Sequence, residues 1–230
     1  MAKQNKNQQE DEVLVDVGQS ISKVEAFFEE NSKSVTLIVG ALIVVVAGYF
    51  AYTNWYQLPR ENDAKDEIYH AQEYFEQDSL KLALNGDGTY LGFIDVAEDY
   101  SGTKAGNMAH YYAGISYLNL GEFQNAIEHL DNFSSNHPIY SVIAKGAIGD
   151  AFLELDQPSD ALDYYKRAVS GESNQFVVPF YLKKAAVVAQ SEGDFKLALK
   201  YYKRIETEFG ESNEASDIAK FIALAEAKLK

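Results

Sequence analysis

The residues best suited to chemistry are the four histidines, because an imidazole can act as an acid, a base or a metal ligand near neutral pH. They are His70, His110, His129 and His137. The four are scattered along the sequence and lack the short spacings of metal-ligating sites. We therefore predict no metal centre. For His110 and His129, a functional role and a half-buried position on a helix both stay open.

Acidic, glycine and serine residues give no stronger sign of catalysis. The pairs Glu29-Glu30 and Glu98-Asp99 lie in helical contexts, where adjacent residues do not face each other, so neither forms a general acid–base pair. Gly86-x-Gly88 lacks the preceding strand and the further glycine of a phosphate loop, and no serine lies in a nucleophile elbow. The absence of cysteine excludes thiol catalysis, disulfides and zinc–thiolate sites. We predict a protein that is not an enzyme and uses no cofactor.

The charge balance argues against one class of partner. The formal net charge is −15 at pH 7. An acidic surface repels phosphate at long range, so we expect no nucleic-acid partner.

A long apolar run is the first element that must position the rest of the chain. Val35–Tyr52 contains eighteen consecutive residues without a formal charge, about the number needed to cross a hydrocarbon core of roughly 30 Å as a helix. Tyr49, Tyr52, Trp55 and Tyr56 gather at its C-terminal end, and amphipathic rings favour the membrane interface. A cleaved signal peptide and a buried core helix are the alternatives. The acidic segment before the run and the bulky aromatic residues after it favour a retained transmembrane anchor over residues 34–56.

Residues 1–33 precede this anchor. Apolar residues recur every three or four positions from Val13 to Phe28, which predicts a short amphipathic helix. Lysine and arginine are balanced on the two sides of the run, with Lys23 and Lys33 before it and Arg60 and Lys65 after it. The distribution of positive charge therefore does not decide the membrane topology.

An internal repeat determines the predicted fold of residues 57–230. Ala126, Ala161 and Ala198 lie 35 and 37 residues apart, and similar residue types recur around each. Small residues precede the first two alanines at Gly114 and Gly149, where they let two helices approach closely. The pattern resembles the tetratricopeptide repeat, a helix–turn–helix unit of about 34 residues. A generic helical bundle is the alternative.

We accordingly predict an all-α protein: one transmembrane helix followed by a tetratricopeptide-like solenoid. Asn62–Leu84 and Thr89–Tyr100 read as two helices of a degenerate first unit, and Asn213–Leu229 as a capping helix that covers the last apolar face. The predicted units span about residues 62–102, 107–140, 142–175 and 179–212, with the cap over 213–229.

Stacked units of this kind line a concave groove with their first helices. The residues expected to line it are Met108, Tyr111, Tyr112, Ile115 and Leu118 in one unit, Ile143, Gly146, Ala147, Asp150 and Leu153 in the next, and Phe180, Lys183, Lys184 and Val187 in the last. Tyr111 and Ile115 stand where co-chaperone repeats carry Lys and Asn to grip a C-terminal carboxylate, which argues against that mode of binding. Such a groove suits either hydrophobic peptide segments or the chain's own terminal helices.

The sequence around the apolar run carries a further resemblance. VEAFFEENSK at 24–33, the run itself and YTNWY at 52–56 resemble the YfgM family of single-pass bacterial inner-membrane proteins with a periplasmic tetratricopeptide-like domain. Residues 92–120 and 146–152 are also similar to tetratricopeptide proteins of Bacteroidetes-type bacteria. The resemblance implies a cytoplasmic N-terminus and a periplasmic repeat domain. It also implies an accessory role at the SecYEG translocon, beside a membrane-anchored periplasmic prolyl isomerase.

The function expected from the sequence is therefore non-enzymatic binding of secreted client polypeptides beside the membrane. Two alternatives stay open. One is a structural adaptor with a single fixed partner in an envelope assembly complex. The other is a regulator that acts through its cytoplasmic N-terminal segment.

Overall fold

The computed structural model describes residues 30–230, and the amphipathic helix predicted over Val13–Phe28 lies outside them. Helices and turns form the described part of the chain, and it contains no strand. The helices are α1 Ser32–Tyr52, a π-helical turn Thr53–Gln57, α2 Leu58–Glu76, α3 Leu80–Asn85, α4 Phe93–Asp99, α5 Lys104–Asn119, α6 Phe123–Asn132, α7 Pro138–Glu154, α8 Pro158–Val169, α9 Val177–Ser191, α10 Phe195–Glu208, a 3₁₀ turn Asn213–Ala215 and α11 Ile218–Lys228. The chain divides into two units between Leu58 and Pro59.

The first unit contains α1, whose apolar side chains are exposed along its length. Val, Ile and Leu are good lipid-facing residues, and a helix pairs its backbone groups internally, as a bilayer requires. At 21 residues, α1 has the length of a membrane span. Among residues 30–230, its apolar stretch is the one candidate for crossing a membrane.

The second unit is built from helix pairs that repeat along the chain. Helix α5 packs on α6, α7 on α8 and α9 on α10, and each pair packs on the next. Ala126, Ala161 and Ala198 are fully buried at the start of α6, α8 and α10. A Cβ at Gly114 would lie 2.4 Å from Cγ of Leu130 on α6. Small side chains therefore allow the close contact within a pair, as the sequence pattern predicted.

The turn inside each pair uses one backbone geometry. Gly121, Asp156 and Gly193 have φ of 77°, 57° and 83°, in the left-handed region that ends helices. At each turn the amide one residue further on donates to a carbonyl five residues back, as from Glu122 to Tyr117 at 2.9 Å. The aspartate adopts this conformation at some cost in strain, which glycine avoids.

The same turn occurs once more, earlier in the chain, and corrects the prediction for the first repeat. Asp78 has φ of 57°, and the amide of Ser79 donates to the carbonyl of Tyr74 at 2.8 Å. The single helix expected over Asn62–Leu84 is therefore two helices, α2 and α3. Ala71 and Ala83 are fully buried twelve residues apart, the separation of Gly114 and Ala126. The first repeat is thus the pair α2 and α3.

Two further helix boundaries also differ from the expected ones. The helix predicted over Thr89–Tyr100 is shorter, since α4 begins at Phe93 after the close approach of Gly92 to the Leu84 carbonyl. The capping helix begins at Ile218 rather than Asn213, because a 3₁₀ turn occupies the first residues. Helix α11 packs on α10 with Ile218 and Ile222 buried, while Leu224 is exposed.

Candidate protein-binding groove

A groove of about 900 Å³ runs along the second unit, formed mainly by the first helices of successive pairs. Helices α5 and α7 present their C-terminal turns to it, α9 presents its middle, and the 3₁₀ turn Asn213–Ala215 closes one side. The lining residues are Leu118, Asn119, Gly121, Phe123, Asp150, Leu153, Glu154, Tyr165, Phe180, Lys183, Lys184, Val187, Val188, Asn213 and Glu214.

Seven of the residues predicted from the sequence to line the groove do line it in the structure. These residues are Leu118, Asp150, Leu153, Phe180, Lys183, Lys184 and Val187. Leu153, Phe180 and Val187 are 43%, 43% and 46% exposed. Apolar side chains this open to water, gathered in one concavity, are typical of a surface that binds another molecule.

The other members of the predicted set are not among the residues that line this groove, and all of them except Ile143 are buried in the hydrophobic core or packed against it. They are Met108, Tyr111, Tyr112, Ile115 and Ile143, with Gly146 and Ala147. The ring of Tyr111 contacts those of Phe133 and Tyr140, with centroids 5.1 and 5.3 Å apart, and Tyr112 stacks on Phe93 at 5.2 Å. Burial raises the pKa of Tyr111 to about 12. The chain's own aromatic rings thus occupy the positions where helix geometry predicted an open surface.

Both lysines of the groove are already paired with acidic side chains. Lys184 Nζ lies 2.7 Å from Oδ1 of Asp150, which also accepts a hydrogen bond from the hydroxyl of Tyr165. Lys183 Nζ lies 2.7 Å from Oδ1 of Asp217, and this hydrogen bond lowers the pKa of the carboxyl. The charges of both ammonium groups are therefore balanced within the chain, which weakens their attraction for an incoming carboxylate.

Sequence reasoning missed several lining residues. Glu154 follows Asp150 by four positions on α7, so the helical period could have placed it on the same face. Phe123, Asn213 and Glu214 come from outside the first helices, and reach the groove only because the units stack. No local pattern marks them.

Two of the scattered histidines meet in the fold. Nδ1 of His110 on α5 lies 3.3 Å from Nδ1 of His129 on α6, within hydrogen-bonding distance if one ring donates. Burial lowers the pKa of both, against the opposing effect of Glu128. Residues 30–230 contain no group of three or more side chains arranged to hold a metal ion.

Comparisons with known proteins agree with this architecture. The sequence model of the tetratricopeptide repeat family matches residues 108–138, which span most of α5 and all of α6. A crystal structure of MamA protein aligns at 18% identity and a TM-score of 0.50, covering 74% of this chain and 91% of that one. A kinesin light chain-like repeat protein from Podosopora anserina aligns at 13% identity and 0.51, covering 74% and 87%. No curated protein matches the sequence.

These likenesses are too distant to carry a partner or an activity from those proteins to this chain. The fold of these proteins agrees with the one indicated by the buried alanines, the left-handed turns and the regular helix pairs of this chain. Residues 59–230 form a tetratricopeptide-type helical solenoid, a fold that generally serves to bind other proteins.

Proposed function

We propose that this chain is a single-pass membrane protein that binds polypeptide segments in the groove between α5, α7 and α9. The observation that carries the proposal is the exposure of Leu153, Phe180 and Val187 in one concavity of a protein-binding fold. The C-terminal helix α11 packs on α10 as a cap. Of the occupants considered from the sequence, a segment of another polypeptide therefore fits the groove better than this helix does.

The apolar α1 supports the membrane part of the proposal. Its exposed Val, Leu and Ile side chains are favourable in lipid and unfavourable in water. Tethering raises the effective concentration of a binding domain near membrane-bound partners, so weak contacts in the groove suffice.

The location and partners follow from the resemblance of the anchor region to the YfgM family. We propose a cytoplasmic N-terminus, a periplasmic solenoid and an accessory role at the SecYEG translocon, beside a membrane-anchored prolyl isomerase. In that setting the groove would receive secreted polypeptides as they leave the channel.

Site-specific crosslinking in intact membranes tests the binding proposal. A photoreactive residue at Val187 is expected to capture many different secreted chains, while one at Asp163, exposed on α8 outside the groove, captures few. One stoichiometric product at Val187 would instead favour the structural adaptor. Equal products at the two positions would contradict binding in the groove.

Co-purification tests the proposed location. The full-length protein, isolated in mild detergent, is expected to carry translocon subunits and the prolyl isomerase, identified by mass spectrometry. Release of the protein from membranes by alkaline carbonate would contradict the transmembrane anchor.

A further inference from the structure

We propose that the groove selects apolar peptide segments that carry lysine or arginine and discriminates against acidic segments. This inference rests on the proposed binding of polypeptides in the groove, and adds the chemistry of the preferred ligand.

The first step is that the groove offers no uncompensated positive charge among the residues that line it. Lys184 is paired with Asp150 and Lys183 with Asp217, each at 2.7 Å. Both ammonium groups also lie over aromatic rings, Lys184 at 4.7 Å from the centroid of Phe180 and Lys183 at 5.1 Å from that of Phe221. A carboxylate of the ligand would meet ammonium groups whose charge an aspartate already balances, so it would gain less there than at an unpaired lysine.

The second step is that two acidic side chains of the groove are left uncompensated. Glu154 ends α7 and Glu214 lies in the 3₁₀ turn. Within the described part of the chain, neither carboxylate has an ion-pair or hydrogen-bond partner. A lysine or arginine of the ligand could pair with either one without displacing a partner.

The third step concerns the helix ends. Helices α5 and α7 end at Asn119 and Glu154, and both residues line the groove. The C-terminal end of a helix carries a partial negative charge that favours nearby cations. The two helix ends and the two unpaired carboxylates therefore give the groove a negative electrostatic potential.

The apolar surface fits the same ligand. Leu153, Phe180 and Val187 offer contact area for aliphatic side chains. The methylene stem of lysine or arginine can also lie along such a surface while its charged group reaches a carboxylate. A glutamate or aspartate of the ligand would instead be repelled by the like charges of Glu154 and Glu214, which weakens the binding of acidic segments.

The test measures binding of three fluorescent peptides to the full-length protein in a non-ionic detergent at low salt. The peptides share a framework of Leu, Ile and Ala and carry two Lys, two Gln or two Glu residues at the same positions. We expect the Lys peptide to bind about 3- to 10-fold more tightly than the Gln peptide, and the Glu peptide more weakly than either. High salt should reduce these differences.

Two variants locate the selectivity. The double variant Glu154→Gln/Glu214→Gln should bind the Lys and Gln peptides with nearly equal affinity. The matched control Asp163→Asn/Glu206→Gln, which removes two exposed acids outside the groove lining, should keep the preference. A preference that survives in the first variant would overturn the assignment to these carboxylates.

The outcomes also separate this inference from the proposed function. Equal binding of all three peptides to the unmodified protein, lost in Val187→Asp, would overturn the charge selectivity and leave binding in the groove intact. Failure of all three peptides to bind would overturn both.

Discussion

The contact between Gly146 and Tyr181 gives the sharpest test of how neighbouring repeats are held together. Gly146 lies in α7, and a Cβ built on it would lie 2.1 Å from both Cε1 and Cζ of Tyr181 on α9. The tyrosine is 6% exposed, stacks on Tyr165 with ring centroids 6.1 Å apart, and its hydroxyl lies 3.5 Å from the carbonyl of Ile143. The ring is enclosed by these contacts, so Gly146→Ala must push α7 and α9 apart.

Two opposing effects set the size of the change. Alanine in a helix interior is favoured over glycine by about 0.5–1 kcal/mol. Overpacking a well-filled core costs about 1–3 kcal/mol, and the deep overlap with an enclosed ring favours the upper part of that range. We therefore expect Gly146→Ala to lower the free energy of unfolding by about 1–2 kcal/mol.

Urea unfolding of the full-length protein in detergent, followed by far-UV circular dichroism, measures this change. With an m-value of about 2 kcal/mol/M, the midpoint should fall by about 0.5–1 M. The same substitution in a Tyr181→Ala background removes the clash and leaves only the gain in helix propensity, so there it should raise the midpoint. A midpoint raised by Gly146→Ala in the native background, or lowered equally in both backgrounds, would refute the reasoning.

Three further predictions concern the turns, the histidine pair and the anchor. Gly193→Ala places a side chain at φ of 83° and should lower the thermal unfolding temperature, because this conformation costs residues other than glycine about 1–2 kcal/mol. An unchanged unfolding temperature would contradict this prediction. Burial lowers the pKa of His110 and His129 in the folded state, so stability should be full above pH ~6.5 and fall as the pH decreases through the folded pKa values. His129→Gln should flatten that dependence in pH-dependent urea titrations, and an unchanged dependence would contradict the prediction. Val44→Arg/Val45→Arg adds about 2.5–3.5 kcal/mol per residue at the centre of the span and should make the protein extractable by alkaline carbonate, whereas Val44→Leu/Val45→Leu should leave it in the membrane.

The repeated part of the fold could be predicted because its packing restricts residue types strongly. Helices α5 and α6 cross closely where Gly114 meets Leu130, and a crossing this close tolerates only small side chains. The alanines and glycines therefore recur at a nearly fixed period. The first repeat escaped the same pattern for local reasons. Helix α3 ends at Asn85 after six residues and no helix follows it until Phe93, so its apolar period is too short to be read from the sequence.

The candidate groove was harder to predict than the fold. Helix geometry shows which face of α5 lines the concave surface of the solenoid. It does not show whether an aromatic residue on that face contacts water or another ring. Tyr111 could line a groove in one protein and, as here, pack between Phe133 and Tyr140 in another. Only the positions of the neighbouring helices distinguish these cases.

The ion pairs of the groove follow from the repeat itself. Lys184 and Asp150 are 34 residues apart, as are Lys183 and Asp217, so each pair joins positions about one repeat length apart. Stacking brings such positions together, because equivalent residues of adjacent units lie side by side on one face. The wall of the solenoid can therefore neutralise its own lysines, and the charge left for a ligand is found at the helix ends and the turn, at Glu154 and Glu214. In this chain, we infer that the selectivity of the groove is determined by residues that the repeat pattern does not specify.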